Sequence, residues 1–210
     1  LNTDHPEIRH DLGNPSAPKS VPGFLVAGLA ARRSASIPPF AILSCDNLPS
    51  NGALVRGVVL EFARALDPEL ADWIDAHVAF PGTMVDRITP ASTPEDRDRF
   101  ESILGYRDEG IVLHEPFAQW VIEDVFPHGR PDWAGAGAQL VKSVEAHEKM
   151  KLRCLNGTHS ALAYLGFLAG HETIADTVAD APFADLCNKL WADEILPTVQ
   201  PPEGEDMSDY

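Results

Sequence analysis

Residues 148–169 constrain this chain most, because they read as one helix, apolar nearly all round, that still carries Glu148, Lys151, Asn156 and His159. At about 100° per residue these four fall within an arc of about 140°, so one face of a regular helix presents them all to a single ligand. Leu152 and Leu155 share that arc, while Met150, Cys154, Ala161, Tyr164 and Leu165 lie on the other side, the pattern of an interior helix. A charged group buried there needs a partner, either another of the four or a bound polar molecule. Bland roles compete: a snorkelling surface lysine for Lys151, a satisfied interior histidine for His159, and for Glu148 a pair with Lys142, Lys149 or Lys151.

Along the chain the pattern changes once. Residues 23–33 and 53–66 read as helices and 40–44 as a short buried strand, with another strand beginning at 77–80, which is the alternation of a doubly wound α/β sheet. Residues 89–131 are broken by Pro and charge around a strand at 111–114. Beyond Pro131 the apolar spacing is helical over 133–146, 148–169, 172–178 and 182–195, with Gly170 as a stop. The expected organisation is therefore residues 1–130 as a partial Rossmann-like nucleotide-binding domain with a connecting segment, and 131–210 as a partial helical substrate domain. Residues 197–210 have little to pack and are expected to be mobile.

Asn47 follows the 40–44 strand and precedes a helix, the position at which an open α/β sheet lines its ligand crevice. Asp46-Asn47-Leu48-Pro49-Ser50-Asn51-Gly52 is equally good turn and capping chemistry, and Asn51 and Gly52 are assigned to the turn.

Several function classes are excluded or weakened. A net charge of −16 repels a phosphate backbone and an anionic membrane surface, so neither nucleic acid nor membrane is expected as a partner. With 44% hydrophobic and 23% charged residues the composition is globular, and no apolar run reaches the roughly 20 residues that span a bilayer. Cys45, Cys154 and Cys187 are widely spaced and odd in number, which suits a reducing cytoplasm. His147-Glu148 lacks the further ligands of a metal site, Gly135-Ala-Gly137 follows no strand, and no Ser-His-Asp signature is present.

The spacing Lys151-x4-Asn156-x2-His159, followed by Ser-Ala-Leu-Ala-Tyr-Leu-Gly, resembles the polyol-specific long-chain dehydrogenases, the mannitol dehydrogenase family. Ser44-Cys45-Asp46-Asn47-Leu48-Pro49, Phe80-Pro81-Gly82-Thr83-Met84-Val85-Asp86-Arg87-Ile88, Glu115-Pro116-Phe117-Ala118-Gln119-Trp120-Val121 and Glu148-Lys149-Met150-Lys151-Leu152 are similar to successive family blocks, in family order. The resemblance covers essentially the whole chain. Gly82 and Thr158 stand where relatives often carry Ser.

The resemblance implies an internal portion of a longer oxidoreductase that transfers hydride between NAD, or NADP, and C2 of an open-chain hexitol or sugar acid without zinc. Mannitol/fructose and mannonate/fructuronate both stay open, the run from His159 to Gly170 tilting the choice to the sugar acid. It implies Lys151 as general base in oxidation and general acid in reduction. Asn47 and Asn156 become hydrogen-bond donors to the oxygen at the reacting carbon, His159 the holder of a substrate hydroxyl and Glu148 a proton relay. Asp86 is carried over as a substrate-positioning residue, in competition with a structural pairing to Arg87. No cofactor-binding residue is assigned, since the glycine-rich phosphate turn is not found in this sequence, and the isolated chain is expected to be inactive. A non-catalytic piece that binds sugar or a partner is the alternative.

Overall fold

The computed structural model describes residues 2–207. They fall into two compact units, Leu1–Lys142 and Ser143–Tyr210.

In the first unit, α1 (Pro6–Gly13), α2 (Val21–Ser34), α3 (Asn51–Leu66) and α4 (Pro68–His77) build the main core. Their starts are written in the sequence. Ser20 caps α2 by accepting from Gly23 N, Asp67 caps α4 by accepting from Glu69 N and Leu70 N, and both of these helices carry Pro in their first turn. Val26, Leu29, Val59, Phe62, Ala63, Ala71 and Ile74, all nearly or fully inaccessible to solvent, form the centre. Beneath α2 lies Asp11, completely buried, whose carboxylate accepts from Lys19 N, Ser20 N and Ser20 Oγ.

A small sheet follows. Strand β1 (Thr83–Asp86) pairs antiparallel with β2 (Gln119–Glu123), and β2 pairs parallel with β3 (Gln139–Val141). Between β1 and β2, α5 (Pro94–Leu104) is bounded by a reciprocal Thr93/Asp96 capping box and by Gly105.

Several sequence expectations for this unit are corrected. Residues 40–44 form no helix and join no ladder among the described residues; Ile42 N donates to Ala79 O at 2.9 Å. Residues 78–80 form no strand, and the sheet begins only at Thr83. Residues 111–114 form no strand, and Val112 is exposed. The helix expected over 133–146 is replaced by a single 3-10 turn (Ala134–Ala136) and β3. Gly137 has φ +97°, which ends any helix there, and β3 then gains its hydrogen bonds from β2. The first compact unit runs to Lys142.

In the second unit, α6 (Glu145–Lys151) runs into a π turn (Leu152–Asn156) and continues as α7 (Gly157–Ala169), stopped by Gly170. Helices α8 (Ile174–Ala179) and α9 (Ala181–Lys189) follow, then a second π turn (Leu190–Ile195) and a 3-10 turn (Leu196–Thr198). The core is small: Met150, Cys154 and Val199, with Trp191, Ile195 and Met207 packed on them. The expectation that 197–210 has little to pack is thereby corrected as far as residue 207. Val199 is buried, and Arg153 Nη1 donates to Thr198 O at 2.7 Å. Residues 208–210 lie outside the described residues. No helix among the described residues is long and apolar enough to cross a membrane.

Candidate active site

Asn47 stands in the first unit just beyond segment 40–46, on an exposed loop. What fixes that loop is Asn51, a residue that sequence reasoning left to the turn. Its side chain is 1% exposed. The carboxamide Nδ2 lies 2.9–3.3 Å from Ser44 O, Asp46 O, Thr83 O and Thr83 Oγ1, while its Oδ1 accepts from Thr83 N at 2.9 Å. Thr83 Oγ1 in turn donates to Ser44 O at 2.6 Å. One amide therefore ties the end of segment 40–46 to the start of β1, and its groups are satisfied in the interior. The next residue has to be glycine, because a Cβ on Gly52 would stand 2.6 Å from Phe80 O and 2.8 Å from Gly82 N. The signal in the sequence was an Asn-Gly pair opening a helix, which turn chemistry explains just as well.

Asp86 closes β1 and is buried opposite Gln119. Neighbouring Arg87 is exposed and donates from Nε to Phe117 O at 3.1 Å. At the other end of β1, Gly82 N donates to the Glu123 carboxylate at 2.8 Å.

In the second unit Lys151 is 6% exposed and sits beside fully buried Met150. Glu148 is half-buried one turn before it, whereas Asn156 and His159 are exposed. The expectation of one regular helix is corrected at this point. The π turn separates Lys151 from Asn156, with Gly157 N donating to Leu152 O five residues back, so residues after it leave the 100° register that would align all four groups. Single π turns inside α-helices occur frequently at functional sites.

The interior reading of this helix is also corrected. Tyr164, Phe167 and Leu168 are each at least 75% exposed, and Leu152 and Leu155 are exposed as well. Within the unit α7 is covered through Leu162 and Gly166, the latter against α8, so only one stripe is dry.

Two titratable groups nearby are shifted by burial. The His147 imidazole, 3% exposed, is held below its ordinary pKa by desolvation, opposed by Glu205, whose carboxylate lies 3.6 Å from Nε2. Burial pushes the Cys154 thiol up, leaving it a core residue. Among the described residues no group of three or more His, Cys, Asp or Glu side chains is arranged to hold a metal ion.

Known proteins share this arrangement of chain. A D-mannonate oxidoreductase of Escherichia coli strain K12 is 50% identical over 210 residues, covering 100% of this chain and 43% of that protein. A Pseudomonas fluorescens mannitol 2-dehydrogenase, solved as a ternary complex with NAD and D-mannitol, is 45% identical with a TM-score of 0.83 over 99% of this chain and 42% of its own. A D-sorbitol dehydrogenase in substrate-free form is 36% identical with a TM-score of 0.94, over 100% of this chain and 43% of its own. The chain thus spans less than half the length of these relatives. The mannitol dehydrogenase Rossmann domain matches residues 5–135 and the mannitol dehydrogenase C-terminal domain residues 143–210, so the chain belongs to the mannitol dehydrogenase family.

Proposed function

We propose that the whole protein is a nicotinamide-dependent oxidoreductase acting at C2 of an open-chain sugar acid or hexitol, with Lys151 as its acid/base group. The observation that carries this reading is the buried side chain of Lys151 directly before a π turn, in the part of the chain that matches the family's C-terminal domain.

NAD is the proposed cofactor, supported by the Rossmann match and by the NAD held in the related mannitol 2-dehydrogenase. The residues of this chain that fit it are those of the open loop after segment 40–46, where Asn47 is exposed and Asn51 holds the backbone still. No described residue is assigned to its pyrophosphate. When bound, the nicotinamide supplies the acceptor or donor of hydride.

The chain's own groups handle the proton and the oxygen. In oxidation Lys151 takes the hydroxyl proton of the substrate alcohol, and in reduction it returns one. Asn156 is assigned as a carboxamide donor to the oxygen that becomes alkoxide-like, and Asn47 is assigned the same role from the first unit. His159 holds a neighbouring hydroxyl, Glu148 passes the proton between Lys151 and water, and Asp86 positions substrate. A cytoplasmic location accords with free Cys45, Cys154 and Cys187.

The sugar acid is preferred over the hexitol because the mannonate oxidoreductase is 50% identical to this chain, against 45% for the mannitol 2-dehydrogenase. In the whole protein, Lys151→Ala is expected to lower turnover by about 10² to 10⁴ with cofactor affinity intact, and chelator to leave wild-type activity unchanged. Steady-state rates of NADH oxidation with fructuronate and with fructose check both statements. Near-normal turnover in the variant removes the lysine mechanism, and a faster rate with fructose replaces the sugar acid by the hexitol.

A further inference from the structure

The π turn between Lys151 and Asn156 has no support from intrinsic helix preference, since α geometry is favoured almost everywhere. Tertiary contacts must hold it, and two reach it from the same stretch of chain. Trp191 Nε1 donates to Thr158 Oγ1 at 2.7 Å, both residues being half-buried. Arg153 Nη1 donates to Thr198 O at 2.7 Å and to Thr198 Oγ1 at 3.0 Å. Trp191 opens a second π hydrogen bond, its carbonyl accepting from Leu196 N, and its ring packs on the cluster of Met150, Cys154 and Val199. The first π turn is therefore pinned within its span by Arg153 and just beyond its end by Thr158.

We propose that Trp191 and Thr158 are positioning residues: their hydrogen bond keeps the π turn at 152–156 and so sets where Asn156 and His159 stand relative to Lys151. Thr158 lies between those two residues in sequence, so a restraint on its side chain acts directly on both. Released from it, the extra residue of a π turn can migrate along the helix, and each position it passes turns by about 100°. A turn of that size removes an amide or imidazole from any fixed reacting atom. Serine keeps the accepting oxygen and valine does not, while phenylalanine keeps an aromatic ring in the core and loses the N–H together with part of the indole's packing.

The proposal rests on the dehydrogenase reading above, and the test separates the two. In the whole protein, Trp191→Phe and Thr158→Val are each expected to lower kcat about tenfold to a hundredfold, with KM for the alcohol and Kd for NADH little changed. The double variant should lose no more than either single one, because both remove the same bond. Thr158→Ser should restore kcat. Hydrogen exchange gives a readout independent of activity: the Gly157 amide, which donates to Leu152 O, should exchange faster in Trp191→Phe and Thr158→Val but not in Thr158→Ser. Wild-type kcat in Trp191→Phe, additive losses, or unchanged exchange at Gly157 overturns the clamp. A wild-type protein without dehydrogenase activity, together with faster Gly157 exchange in the variants, sinks the functional reading and leaves the clamp standing.

Discussion

Two buried titratable groups, one in each unit, are satisfied to different degrees. In the first, Asp11 is wholly inaccessible and its carboxylate accepts from two backbone amides, a hydroxyl and, at 2.8 Å, the His10 ring. In the second, His147 is almost as deeply buried, yet its Nδ1 has no hydrogen-bond partner among the described residues. The cores differ in the same sense. Four helices bury Phe62, Leu29 and Ile74 around the Asn51 and Asp11 networks, whereas α6 and α7 rest on Met150, Cys154 and Val199 and leave Phe167 and Leu168 uncovered. The first unit also buries Gln119 Oε1 and Trp120 Nε1 without a hydrogen-bond partner among the described residues, but its Asn51 and Asp11 networks are satisfied and hold the loops they reach. The unit carrying Lys151 has a thin core and sets that lysine directly before one irregular turn.

The largest test of this contrast is truncation of matched aromatic residues. Phe62→Ala, which empties a site 1% exposed, should cost about 3–5 kcal/mol in urea unfolding of the first unit. Phe167→Ala in this chain should change stability by no more than about 0.5 kcal/mol, since the ring is 79% exposed. A comparable cost for Phe167→Ala would show that the exposed stripe of α7 is covered in solution.

Next in size is a comparison inside the loop. Asn51→Ala should cost at least about 1–3 kcal/mol, because Thr83 N and the carbonyls of Ser44 and Asp46 lose a buried partner. Asn47→Ala, on the exposed loop, should leave the melting temperature nearly unchanged. In the whole protein it should instead lower turnover, by about 2.7–4 kcal/mol in barrier if Asn47 donates to the alkoxide. A drop in melting temperature without loss of turnover would return Asn47 to a turn role.

The smallest effect is a difference in acid sensitivity. Burial raises the Asp11 pKa, but hydrogen bonds from Ser20, His10 and Lys19 outweigh it and hold the carboxyl well below the ordinary range. Desolvation likewise holds His147 below its ordinary value, with Glu205 pulling the other way. In both cases the unfolded chain binds more protons between the two pKa values, so stability falls as pH drops. The windows differ. Loss from His147 begins below about pH 6.5, and loss from Asp11 only below about pH 3.9. Amide exchange followed from pH 8 to 4 should therefore show the second unit loosening first, and His147→Gln should flatten its slope. Simultaneous loosening of both units near pH 4 would remove His147 as the cause.

Much of this was readable along the chain. Ser20, Asp67 and Thr93, with Pro behind them, mark helix starts because capping uses atoms a few residues apart. The Rossmann-then-helical order and the burial of Lys151 were legible for the same reason: periodicity and motif spacing are local properties. Strands were not. Residues 40–44 have strand composition and join no ladder, while residues 139–141, inside an apparently helical stretch, pair with β2. A strand exists only through its neighbour, and sequence spacing does not say which neighbour arrives.

The sequence by itself determined the family, since Lys151, Asn156 and His159 stand at a spacing that needs no coordinates to recognise. Only the tertiary structure decided how they are held. The π turn, the Trp191 to Thr158 bond and the Asn51 clamp each join atoms more than thirty residues apart or replace a local preference by a packed alternative. Such features are selected by the energy of burying and pairing groups in three dimensions, which no local pattern encodes.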